Sequence, residues 1–226
     1  GSERAKLPEL TEPQLATLAA EAPEGSDWLH EIKLDGYRIL ARIEDGRVLL
    51  ASRRGHDWTT RLPSIASALG GLPVKSALLD GEVVVLGENG VSDFQRLQNS
   101  MQAGRDADCV YFAFDSLYVN GFDLRSVPLR ERKAVLKSAF AGSHNPRVRY
   151  ADHIDGGGAS FFARACAAAS RNVWGLTAHT TVPAAARRSS ARLSRPLATS
   201  RSANWQCFAR SPGSSRRGRA SGRCCR

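Results

Sequence analysis

Residues 28–53, WLHEIKLDGYRILARIEDGRVLLASR, decide the fold class. They read as strand, turn, strand, turn, strand. Asp45-Gly46 separates two alternating apolar runs, a strong hairpin signal. Ile39, Ala41 and Ile43 share one face of the first run, and Val48 and Leu50 of the second can pair with them.

Residues 61–71 (RLPSIASALGG) carry Leu62, Ile65, Ala66 and Leu69 at helical spacing, with Gly70-Gly71 as a stop. SALLDGEVVVLGENG then reads as two strands around a tight Asp80-Gly81 bend, closed by an Asn89-Gly90 turn. Residues 92–102 predict a helix capped by Ser92 or Asp93. Residues 109–119, CVYFAFDSLYV, predict an apolar strand with one acid inside it, followed by Asn120-Gly121. Residues 128–140 place Pro128 at a helix start. RVRYADHI predicts a short strand, and residues 159–169 the beginning of another helix. Before Trp28, residues 1–26 predict an extended lead-in with a helical turn over Leu15–Ala20. The whole is an antiparallel-rich α+β pattern. There is no GxGxxG or Walker-type loop, so neither a dinucleotide-binding fold nor a P-loop NTPase is supported. No apolar run approaches the roughly 18–20 residues of a membrane span, and no signal peptide opens the chain, so the expected compartment is the cytoplasm.

Charge divides the 226 residues into two compositions. Through residue 165 there are 20 Lys+Arg and all 22 Asp+Glu, a net charge of −2. From Cys166 to Arg226 there are 12 Arg, no Lys and no acid, and Ala, Arg and Ser make up 34 of the 61 residues. Taken alone, that composition predicts disorder. The five cysteines form no CxxC pair, so neither a zinc site nor a disulfide framework is indicated.

Several residues have side chains able to carry chemistry, each with a plainer alternative. Lys33 lies in a strand-to-turn segment, EIKLDGYR; a lysine is a nucleophile once desolvation or a nearby cation keeps its amine neutral. Arg38 offers both a cation and a phosphate grip, and Gly36 a close backbone approach. For an isolated KxDG the alternative is a surface lysine at a β-turn. Glu82, between apolar residues, either faces solvent at a strand edge or holds a ribose hydroxyl or Mg²⁺. Arg53 and Arg54 precede Gly55 at a strand end, where a solvated basic turn is the alternative. Phe112 or Phe114 is either core or a stacking plate for a purine.

EIKLDGYR (31–38), SRRGHDWT (52–59), LDGEVVV (79–85) and YFAFDSLY (111–118), in this order, resemble motifs I, Ia, III and IIIa of the ATP-dependent DNA ligases. EPQLATLAAEAPEG and PLRERKAVL extend the resemblance, over roughly residues 7–168, to the ligase domain of the bacterial multifunctional non-homologous end-joining ligases. The resemblance implies a nucleotidyltransferase (ATP-grasp-like ligase) core of two antiparallel sheets flanked by helices, incomplete at the C-terminus. It divides the chain into a lead-in (1–26), a partial adenylation domain (27–168) and a basic tail (169–226).

It also implies roles. Lys33 attacks the α-phosphate of ATP and forms lysyl-AMP. Glu31 helps recognise adenine, Arg38 and Arg53 contact phosphate or ribose, and Phe114 stacks on adenine. Glu82 holds the ribose or the metal, Mg²⁺ or Mn²⁺. The implied partners are nicked or broken double-stranded DNA, polymerase and nuclease domains of a longer parent chain, and an end-binding Ku-type protein, in a bacterial, nucleoid-associated setting. Segments resembling the family's motif IV (EGIVSKR) and motif V (WLKVK) do not occur; AASRNVWGLT (168–177) stands where motif IV is expected. The motif IV glutamate and motif V lysines serve metal and α-phosphate, so their loss weakens transition-state stabilisation. This break coincides with the change in charge, as for a chain read out of frame from about residue 167. Two other readings remain: a non-catalytic nucleic-acid-binding remnant, and another covalent nucleotidyltransferase such as an RNA ligase or a capping guanylyltransferase.

Overall fold

The Asp45-Gly46 turn forms as expected: both residues have positive φ, 48° and 78°, the requirement of a two-residue primed hairpin turn. It joins β4 (Tyr37–Glu44) to β5 (Arg47–Ser52), with Ile43 opposite Val48 and Ala41 opposite Leu50. In this computed structural model the described residues are 1–11, 13, 17–19, 25–88, 90–158, 160–161, 176–180 and 205–208. They fall into two compact units, one of residues 1–13 and 34–152, the other of residues 14–33 and 153–226.

The first unit is a seven-stranded sheet. β6 (Ser76–Val85) pairs with β4, β7 (Cys109–Val119) with β6, β8 (Phe122–Asp123) with β7, and β1 (Glu3–Arg4) with β8, all antiparallel. β9 (Val148–Tyr150) runs parallel to β7, a departure from a purely antiparallel sheet. One face carries the core: Ile39, Ala41 and Ile43 of β4, Leu79, Val83 and Val85 of β6, and Tyr111 and Ala113 of β7. Against them pack Ile65 and Leu69 of α1 (Pro63–Gly70), Leu97 of α2 (Phe94–Gln102) and Leu136 of α3 (Leu129–Ala139). Burying such side chains contributes about 1.5–3 kcal/mol each, which makes this cluster the main source of stability in the unit. Asp93, not Ser92, caps α2, accepting from Arg96 N–H at 3.0 Å. Cys109 is buried, and burial pushes its thiol up to about 11, in keeping with an inert core cysteine.

β6 corrects one expectation. Asp80-Gly81 does not bend the chain; the strand runs through it. Gly81 serves close approach instead. A Cβ there would lie 2.4 Å from Cζ of the fully buried Tyr111 ring and 2.5 Å from Phe112 O. Tyr111 Oη crosses the strand to donate to Ile39 O at 3.1 Å. Gly81→Ala is therefore expected to destabilise the protein by about 1–3 kcal/mol through overpacking, read as a lower urea midpoint with unchanged slope.

The second unit holds a five-stranded sheet in the order β10 (Ile154–Asp155), β3 (Trp28–Ile32), β11 (Leu176–Thr180), β12 (Trp205–Phe208), β2 (Thr17–Ala19). β10 and β11 flank β3 antiparallel, while β11 and β12 are parallel. The helical turn expected over 15–20 is a strand at Thr17–Ala19, and its other residues lie outside the described ones. No strand is expected after residue 169, because no alternation marks one; β11 and β12 form there all the same, and the rest of 169–226 lies outside the described residues, as does most of the helix expected at 159–169. No helix among the described residues is long and apolar enough to cross a membrane.

Candidate active site

In the first unit, the sheet face opposite the core carries Arg38, Glu82 and Phe114 together. β4 and β6 place Arg38 directly opposite Glu82, and β7 places Phe112 on the other side of Glu82. Arg38 reaches diagonally to Asp80. Its Nε donates to Oδ1 at 2.9 Å and its Nη2 to Oδ2 at 2.6 Å, a bidentate fork. The side chains are 16% and 4% exposed. Burial alone would lower the pKa of Arg38, but the attraction and hydrogen bonds of Asp80, with smaller contributions from Glu82 and Asp115, outweigh it and the net shift is upward. Arg38 is thus a fixed, permanent cation. Its guanidinium carbon lies 5.2 Å from the centroid of the Phe114 ring, within cation–π range. Glu82 is half-buried.

The segment after β3 is pinned to this unit at two points. Asp35 N–H donates to Ser92 Oγ at 2.9 Å. Gly36 packs its backbone on β6, where a Cβ would stand 2.1 Å from Val83 O. This is the close approach that the DG pair predicts. Arg53 lies exposed in the turn after β5, and among the described residues it forms no ion pair with the Arg38 group.

In the second unit, β3 presents His30 and Glu31, 0% and 5% exposed, and is followed by the half-buried Lys33. A carboxylate this buried in mid-sheet is retained only where it is paired or has work to do.

Three residues escape a reading of motifs. Asp80 looks like a turn residue but is the carboxylate that holds Arg38. Arg132 grips Asp115 through Nε at 2.8 Å and Nη2 at 2.7 Å. Lys133 is fully buried. Its signal is the spacing of Leu129, Lys133 and Leu136, which puts a cation on the apolar face of α3.

A face with a fixed guanidinium, an aromatic ring and a carboxylate offers a phosphate grip, a stacking plate and a ligand for a hydroxyl or cation. Among the described residues no cluster of three His, Cys, Asp or Glu side chains forms a cage for a metal ion. A single carboxylate suits a cation that arrives with phosphates, as Mg²⁺ commonly does.

The family model described as ATP dependent DNA ligase domain matches residues 13–176. This chain belongs to the ATP-dependent DNA ligases. The ligase domain is 45% identical over 160 residues to the multifunctional non-homologous end joining protein LigD of Pseudomonas aeruginosa, covering 71% of this chain and 19% of that protein. Among solved structures, the ligase domain of Mycobacterium tuberculosis LigD superposes with a TM-score of 0.56 at 33% identity, covering 70% of this chain and 48% of that one. A mycobacterial DNA ligase D complexed with ATP and MES superposes at 0.58 with 27% identity, covering 88% and 58%. The ligase domain spans under a fifth of the length of the LigD proteins it matches. The mixed architecture of mainly antiparallel sheets with few helices is that of the ligase nucleotidyltransferase domains.

Proposed function

We propose that this domain loads itself with AMP and passes it to the 5′-phosphate of broken or nicked double-stranded DNA, in end joining. The observation that carries the reading is the Arg38–Asp80 fork set over the Phe114 ring and opposite Glu82, on a chain of the ATP-dependent DNA ligase family.

Lys33 Nζ attacks the α-phosphorus of ATP. An N–P bond forms, the P–O bond to the β-phosphate breaks, pyrophosphate departs, and Nζ loses a proton. A 5′-phosphate oxygen of DNA then displaces Lys33 from phosphorus, giving an adenylated end. The 3′-hydroxyl attacks that end and expels AMP. Glu31 and Phe114 receive the adenine, one by hydrogen bonding and one by stacking, and Arg38 and Arg53 neutralise phosphate charge. Glu82 binds the ribose or Mg²⁺, and a metal bound there offsets charge on the phosphates. Ku-type proteins and polymerase and nuclease domains are the partners proposed for the full-length parent.

The basic 166–226 segment, without recognisable motifs IV and V, favours a second reading, a nucleic-acid-binding remnant without chemistry, its tail read out of frame. Sealing of nicked duplex DNA with ATP, compared with GTP and with nicked RNA, separates the readings. The ligase reading expects ATP-dependent sealing of DNA. Preference for GTP or for RNA selects another nucleotidyltransferase. Salt-sensitive DNA binding with no sealing selects the remnant. Resequencing the gene tests the frame, and an intact frame encoding this tail overturns the out-of-frame origin.

A further inference from the structure

Phe114 is the extra residue of a β-bulge. β6 and β7 pair Glu82 with Phe112, Gly81 with Ala113, and then Asp80 with Asp115, so Phe114 has no residue opposite it. A bulge takes one residue out of the ladder and re-aims its side chain. The backbone groups released still need partners. A second bulge on the same pair leaves Leu117 out, and there the carbonyl accepts from Leu124 N–H at 2.9 Å.

At Phe114 the partner is a side chain. Lys133 Nζ donates to Phe114 O at 3.2 Å and to Ala151 O at 2.8 Å, just where the chain leaves β9. The ammonium also lies 5.0 Å from the Tyr150 ring centroid. The neighbouring residue of α3 secures the next two residues of β7: Arg132 forks onto the Asp115 carboxylate, and Ser116 Oγ donates to Arg132 O at 2.8 Å. Two consecutive residues of α3 thus hold three consecutive residues of β7.

A fully buried ammonium on the face shared by Leu129, Leu136 and Ala139 is a costly choice, and an apolar residue would pack there more cheaply. Its two carbonyl acceptors explain the choice. We infer that Lys133 is a positioning residue for nucleotide binding: it closes the bulge and so sets the Phe114 ring against Arg38. The inference rests on the proposed role of Phe114 as the adenine-stacking ring.

The test has a structural arm and a binding arm. 4-Fluorophenylalanine is placed at position 114 and, as a reference on the core face, at position 94. Lys133→Met is expected to shift or split the fluorine resonance at 114 and leave that at 94 unchanged. It is also expected to weaken ATP binding in equilibrium dialysis about ten-fold, within what a base–aromatic stack contributes. In a Phe114→Ala background, Lys133→Met should cause no further loss. An unmoved resonance at 114 overturns the inference whatever the nucleotide does. A moved resonance with unchanged ATP affinity, where Phe114→Ala does weaken binding, overturns the nucleotide role. If Phe114→Ala itself leaves ATP binding intact, the stacking role falls, and with it the nucleotide half of the inference, while the fluorine result still decides the bulge half. Lys133→Gln, which keeps a neutral N–H donor group, replaces Lys133→Met if that variant does not fold; failure of both to fold assigns Lys133 to stability alone and overturns the proposal.

Discussion

Incubated with ATP and Mg²⁺, the purified protein is expected to gain the mass of one AMP, and Lys33→Ala to gain none. Removing the group proposed to form the new bond should slow adduct formation on the order of 10⁴-fold or more, because the covalent step has then lost its nucleophile. Intact-mass spectrometry reads the result directly, without requiring DNA, a sealed product or turnover. That matters here, because the sequence has no recognisable motif IV or V. An adduct in the wild type alone shows that the core folds into a loading-competent site despite those changes. An adduct that persists in Lys33→Ala overturns Lys33 as the nucleophile. No adduct in protein that circular dichroism shows to be folded moves the non-catalytic DNA-binding reading to the front; its mark is steep salt dependence unaltered by Lys33→Ala.

Much of this architecture is legible in the sequence, and the parts that are not share a cause. Turns that need positive φ announce themselves, as at Asp45-Gly46 and Asn120-Gly121, because few other residue pairs tolerate that backbone. The α2 cap and the long β7 strand are local as well, written in neighbouring residues. Asp80-Gly81 carries the same two letters as a turn and is none. Its aspartate is fixed by an arginine 42 positions away and its glycine by a tyrosine on the next strand. Bulges, diagonal ion pairs and the Lys133 contacts depend on register between distant strands, which local periodicity does not encode. The motif residues Arg38, Glu82 and Phe114 are legible individually; their meeting on one sheet face is a product of pairing. β11 and β12 are short and lack alternation, so composition alone hides them.

The Arg38–Asp80 fork makes the second large prediction. Asp80→Ala removes both acceptors of a bidentate pair whose side chains are 16% and 4% exposed, and Arg38 stays charged because a guanidinium holds its proton even without its partner. Breaking a buried pair from one side typically costs about 3–5 kcal/mol, since a desolvated charge loses its counter-charge. Against a total stability of roughly 5–15 kcal/mol, that loss should lower the urea midpoint substantially. Arg38→Met should cost a similar amount by leaving the Asp80 carboxylate buried. The double variant Arg38→Met/Asp80→Leu removes both charges, and apolar replacements of a buried pair are often neutral, so it should recover most of the lost stability. It should not recover AMP loading, because the phosphate grip proposed for Arg38 has gone with it. Stability and loading therefore separate in one set of three variants. Losses under about 1 kcal/mol in both single variants, the range of an exposed pair, would show that the fork is not the buried anchor its geometry describes. A double variant that loads AMP at the wild-type rate would remove Arg38 from the nucleotide site and leave Glu82 and Phe114 to define it.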